Sequence, residues 1–154
     1  MEKFKFKSKA QTLLKLYNIG IINILKTYIF TVEDYENNNK KILTNIQNKF
    51  SKKVAIRSSN IYEDKNTVSF AGKFKTILNV ESKNTHELIK SIKNVKNSYK
   101  YFKDSNNEIL VQSMIDNVTL SGVCTTCDLE NYFPFYQINY SVGKDTTVVT
   151  SGKL

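Results

Sequence analysis

Apolar residues along this chain recur at two spacings, three to four in some stretches and two in others, and the switches between them mark out its elements. Ser8 to Tyr17 (SKAQTLLKLY) sets Leu13, Leu14 and Tyr17 on one side and predicts a short helix. An apolar, β-branched run over 20–31 ends in Tyr28-Ile29-Phe30 and predicts a strand. Thr31 then stands where a hydroxyl can cap a helix, and Glu33 and Asp34 suit the positive end of its dipole. Tyr35, Ile42, Ile46 and Phe50 hold helical spacing to about residue 50, although the asparagines at 37–39 weaken the first half.

Lys53 to Arg57 (KVAIR) predicts a buried strand, 58–72 a polar segment, and Phe74 to Val80 a second strand. Asn84 or Thr85 opens the clearest helix, on which Leu88, Ile92, Val95, Tyr99 and Phe102 follow one face. Lys90, Lys93, Lys96, Lys100 and Lys103 take its solvated flank, and His86 sits in its opening turn as an exposed or capping residue. After Asn106-Asn107 the period becomes that of strands: Ile109 to Met114, Leu120 to Thr126, Tyr132 to Tyr140 around Pro134, and Thr146 to Thr150. No internal repeat occurs. Helices first and strands last predict an α+β class, with mixed helices and a largely antiparallel sheet.

A chain of 154 residues suits one domain and buries about 70% of its unfolded surface without help from disulfide or metal. The closing VVTSGKL reads as the middle of a domain more than its end. The formal charge of +9 raises the possibility of a basic nucleic-acid-binding module, but its distribution argues against one. Lysines are scattered from Lys3 to Lys103 among asparagines and isoleucines, and nothing basic lies between Lys103 and Lys144. Of the 23 basic residues, 22 are lysine, and Arg57 alone offers a planar, bidentate fork. The apolar stretch after Lys15 is broken by Asn18, Asn23 and Lys26, which argues against an export signal and against a membrane span. Two cysteines in such a chain point to a reducing cytoplasm. Cys124 and Cys127 are spaced Cys-x-x-Cys, but within a strand that separation sends them to opposite faces, so the reading here is neither redox couple nor zinc site.

Chemistry concentrates in Val54 to Gly72, VAIRSSNIYEDKNTVSFAG. A strand ends in an arginine and two serines, and a loop closes on Ser69-Phe70-Ala71-Gly72. Small residues let backbone N–H groups approach phosphate oxygens, and an arginine can clamp them bidentately. Serine and glycine also occur in strand–loop–strand hairpins for turn geometry alone, so both readings stand on the residues themselves.

The segment resembles the ATP-binding region of phosphoenolpyruvate synthases and pyruvate phosphate dikinases, whose motif runs V-x-V-R-S-S-A-x-x-E-D-x-x-x-x-S-F-A-G. Val54, Ile56, Arg57, Ser58, Ser59, Glu63, Asp64, Ser69, Phe70, Ala71 and Gly72 stand in its places, with Asn60 where alanine is usual. Lys7 to Leu13 is similar to the family's opening G-G-K-G-x-N-L, with Lys9 at its ATP-contacting lysine and both opening glycines missing. Ile109 to Ile115 resembles V-x-V-Q-x-M-V, Ser121-Gly122-Val123 with Thr126 resembles S-G-V-x-F-T, and Thr150-Ser151-Gly152 a later V-S-G. The likeness spans residues 7–152 and is nearest to a branch of capsular polysaccharide biosynthesis that includes glutamine kinases.

The resemblance implies the N-terminal part of an ATP-grasp type nucleotide-binding domain over residues 1–154, binding ATP with Mg2+. Its metal ligands, phosphohistidine domain and acceptor domain would then lie on a longer or separate chain. Arg57 would carry the catalytic contact to the phosphates. Lys9, Ser58 and the Ser69, Phe70, Ala71 and Gly72 loop would bind the cofactor with it, and Gln112 would lie near the adenine. Glu63 and Asp64 would organise the loop. The alternative is a truncated remnant that folds without catalysing anything.

Overall fold

The computed structural model describes residues 7–20, 23–60, 74–99, 107–146 and 148–149. The chain divides into two compact units, Met1–Met114 and Ile115–Leu154.

The first unit is built on a four-stranded sheet of β1 (Thr27–Thr31), β2 (Lys53–Ser59), β3 (Thr76–Glu81) and β4 (Glu108–Ser113), in spatial order β1-β4-β2-β3. Every neighbouring pair is antiparallel. Strands β1 and β2 are therefore parallel to each other with β4 between them, and β3 and β4 are parallel with β2 between them. Helix α2 (Val32–Lys49) makes the first of these crossovers and α3 (Thr85–Ser98) the second. Each is a split β-α-β unit.

Side chains alternate across the sheet, so register assigns each residue a face. Tyr28 and Phe30, Val54 and Ile56, and Ile109 and Val111 share the face packed by α2 and α3. Tyr35, Ile42, Leu43 and Ile46 of α2 and Leu88, Ile92 and Val95 of α3 close this core. Ile46, Ile56, Leu88, Ile92 and Val95 have no exposed surface, and burial of each such side chain is worth about 1.5–3 kcal/mol. The Lys96–Glu36 ion pair bridges the two helices on their solvated side.

Local signals fix the helix ends. Thr31 caps α2 by accepting from Asp34 N–H at 3.0 Å, and the Asp34 carboxylate accepts from Thr31 N–H at 3.0 Å. Asn38, the middle one of three asparagines, leaves helical geometry at φ −140°, ψ 43° and kinks α2. Asn84 caps α3 through its side chain, which accepts from Glu87 N–H at 3.1 Å. The register of β2 and β3 slips between Val54 and Ile56, and Asn79 absorbs the extra residue in a left-handed conformation, φ 59°.

The Thr31–Asp34 box has a pH signature. Accepting the Thr31 N–H holds the Asp34 carboxyl below its ordinary value of 3.8. Its contribution to stability is complete above that value and drains away as pH falls through the lower folded value. Urea midpoints followed from pH ~5 to ~2 should therefore fall more steeply in wild type than in Asp34→Asn. Parallel acid limbs would show that the box contributes nothing.

Helix α1 (Lys9–Ile19) departs from the sequence expectation. Leu14 and Tyr17, predicted on its apolar side, are 51% and 62% exposed, and Ala10 is its buried residue. The helix is held by its N-terminus, through polar contacts that helical periodicity does not report.

The second unit contains the antiparallel pair β5 (Leu120–Thr125) and β6 (Gln137–Val142). Gly122 stands opposite Tyr140, where an added Cβ would meet Asn139 O at 2.9 Å, so glycine lets the strands close here. The strand expected over Tyr132–Tyr140 starts only at Gln137. Asp128 folds the preceding residues into a turn by accepting from Asn131 N–H at 3.0 Å. Thr146, Val148 and Val149, expected in a last strand, lie in turns. Cys127 falls beyond the end of β5, so the cysteines do not share one strand and the opposite-face reasoning fails for them; both thiols are free.

Candidate nucleotide-binding face

The sheet face opposite the α2–α3 core carries the candidate residues Arg57 and Gln112. Register lays out three rows on it. Thr31, Glu108 and Ser59 form the first; Ile29, Leu110, Arg57 and Thr76 the second; Thr27, Gln112 and Ala55 the third. Arg57 and Gln112 are thus diagonal neighbours on adjacent strands, about 7–8 Å apart in their backbones. Both are partly buried.

Arg57 has no acid beside it among the described residues. Among the described residues its Nε is enclosed without a hydrogen-bond partner, and no carboxylate pairs with its guanidinium. A buried donor left unmade costs about 1–3 kcal/mol, more when charged, so an acceptor arriving from outside would relieve a cost at Arg57. A phosphate group is one acceptor whose geometry matches the guanidinium fork.

Ser58 is placed elsewhere. It lies opposite Ile109, 2% exposed, with its side chain on the helical face of the sheet. The period of two separates Arg57 and Ser58, and Ser59 is the serine that shares the arginine's face. Ser59 is engaged there: its Oγ accepts from Ala10 N–H at 2.8 Å and donates to the Glu108 carboxylate at 3.4 Å. The same carboxylate accepts from the Ser8 hydroxyl and, at 2.7 Å, from Gln11 Nε2. Lys9, partly buried between Ser8 and Ala10, is thereby brought to the end of β2 that leads away from Arg57.

Tyr99 closes the same end of the sheet from the other side. Its hydroxyl accepts from Ser59 N–H at 2.6 Å and donates to Glu108 C=O at 2.5 Å, joining the last residues of β2 and β4. Next to it, Asn60 and Asn107, both buried, are joined side chain to side chain.

Gln112 makes no side-chain hydrogen bond among the described residues. Its cross-strand partner Thr27 lines an apolar cavity of about 160 Å³ together with Leu13, Leu14, Tyr17, Ile24, Lys26 and Lys49; Gln112 itself does not line it. Glu63, Asp64, Ser69, Phe70, Ala71 and Gly72 lie outside the described residues. His86 is exposed on the first turn of α3. Among the described residues no three of His, Cys, Asp and Glu gather as a metal site, and no helix is long and apolar enough to cross a membrane.

Sequence reasoning missed Ser59, Glu108 and the Tyr99 hydroxyl. The strand period already contained the first, since Ser59 follows Arg57 by two. For Glu108 there was no signal: its partners are 49 to 100 residues away.

The unit is α+β, with one sheet face given to its core and, on the other, a guanidinium that makes no ion pair among the described residues. The chain matches the family described as pyruvate phosphate dikinase, AMP/ATP-binding domain, over residues 24–153. It belongs to that family, and is the ATP-binding portion of a dikinase-family protein. The match begins after α1, leaving Lys9 outside it. No curated protein and no solved structure matches the chain significantly.

Proposed function

We propose that this chain forms the phosphate-gripping part of a dikinase-like phosphotransferase, of the phosphoenolpyruvate synthase or glutamine kinase kind. Arg57 would bind the phosphates of ATP, Lys9 would approach them from the start of α1, and Gln112 would face the base. The Ser69–Gly72 backbone would cover the phosphates, and Mg2+ held by residues elsewhere would neutralise their charge. Bound ATP supplies the transferable phosphoryl group; what the chain's own residues do is position it and stabilise charge. Ser58 would act through its backbone, since its hydroxyl is turned into the core. The reading places the protein in the cytoplasm, which accords with its two free thiols.

The observation that carries the proposal is the Nε of Arg57, without a partner among the described residues, on the face away from the core. A thermal titration tests it. Saturating MgATP should raise the apparent stability, by about 2.7 kcal/mol at one hundred times Kd. A flat titration would instead identify a folded remnant without nucleotide function. Binding to nucleic acid that fell steeply with salt would favour a basic module.

A further inference from the structure

We infer that Glu108 is a positioning residue, which anchors the N-terminus of α1 and so holds Lys9 at the end of the strand that carries Arg57; the nucleotide half of this inference rests on the proposed function above. Glu108 is 8% exposed, at the start of a strand whose next three residues are apolar and buried. A carboxylate in such a place is costly unless its oxygens are well supplied with donors. Among the described residues its partners are Ser8, Gln11 and Ser59, all neutral. Two of the three belong to one short stretch, the cap and first turn of α1.

That stretch needs the help. An 11-residue helix is marginal in isolation, and this one has no acidic residue in its first turn and a single buried residue, Ala10. Glu108 supplies from β4 the negative charge that the first turn lacks, at the end where the helix dipole favours it. Ser59 adds a second tie by accepting from Ala10 N–H, one of the donors left over at a helix start. Ser59 is two residues beyond Arg57 on the same face of β2, about 7 Å along the strand. The helix start carrying Lys9 is therefore tied to the residue one strand repeat beyond the arginine.

No reacting group need touch Glu108 for this role. Its backbone is held independently, by the Tyr99 hydroxyl and by β2, so removing the side chain carboxylate should free α1 and leave the sheet intact.

Two measurements on the full chain test the inference. In the nucleotide-free protein, Glu108→Ala should raise amide hydrogen exchange over residues 10–14 at least about tenfold, with β2 and β4 amides still protected. Gln11→Ala, a change on an exposed side chain, should move the same amides in the same direction by less. In calorimetry, Glu108→Ala should weaken MgATP at least about tenfold, and Lys9→Ala combined with it should be no weaker than Lys9→Ala alone. Wild-type protection of α1 in both variants would overturn the anchoring. Additive losses of affinity would overturn the route through Lys9. A wild-type protein that binds no MgATP would overturn the nucleotide half together with the proposed function, while the exchange data would still decide the anchoring half.

Discussion

Arg57→Ala is expected to weaken MgATP binding by about 10- to 150-fold and to leave the melting temperature of the nucleotide-free protein nearly unchanged. The first figure follows from one charge-assisted interaction worth about 1.5–3 kcal/mol. The second follows from what the guanidinium does without ligand. Among the described residues it makes no ion pair and its Nε has no acceptor, so alanine removes no bond from the resting fold. Loss of the side-chain stem costs some packing against Leu110 and Thr76, its neighbours in register. Loss of an unsatisfied buried donor offsets part of that cost. Arg57→Lys should restore charge but little affinity, because a point charge cannot reproduce the two parallel bonds of the fork. Calorimetry with MgATP and a melting curve without it check both halves. Equal affinity in wild type and Arg57→Ala would remove the arginine from the site.

The largest effect on stability is expected from a single oxygen atom. Tyr99→Phe should cost about 2–6 kcal/mol and lower the melting temperature by on the order of 10 °C. The Tyr99 ring is 4% exposed and Phe keeps its packing, including the edge contact with Phe74 at 5.8 Å. What disappears is a hydroxyl bonded at 2.6 Å to Ser59 N–H and at 2.5 Å to Glu108 C=O. Both residues are buried, so two backbone groups would lose their partner at once, each at about 1–3 kcal/mol. Urea unfolding of the variant measures the loss. A midpoint within error of wild type would mean that water replaces the hydroxyl. Because Ser59 and Glu108 also hold α1, the variant should in addition loosen that helix.

Legibility differed sharply from element to element. Helices α2 and α3 could be read from Thr31, Asn84 and the spacing of Tyr35, Ile42, Ile46, Leu88, Ile92 and Val95, because caps and amphipathic faces are local in sequence. Helix α1 was placed correctly but given the wrong attachment. Apolar spacing implied a stripe through Leu13, Leu14 and Tyr17, whereas polar bonds to Glu108 and Ser59 hold its first turn. In the second unit, Tyr132 and Phe133 satisfied a strand pattern and yet lie in the turn organised by Asp128, since alternation does not distinguish a strand from an aromatic loop with no partner in register.

The site shows the same division. Arg57 was legible as the one arginine among 23 basic residues, at the end of a strand and inside a motif matched at every spacing. The motif's two serines were legible as lying on opposite faces, but only the register with β4 showed that Ser58 faces the core and Ser59 shares the face of Arg57. By itself the sequence determined the family, the helix caps, the order of elements and the position of the candidate arginine, since each is written in contiguous residues. The tertiary structure decided which strands meet, with β4 entering between β1 and β2, and which side chains converge on Glu108 from residues up to 100 positions away. Pairing across such distances is set by which complete arrangement buries the apolar face and satisfies every polar group together, a condition on the whole fold that no short segment carries.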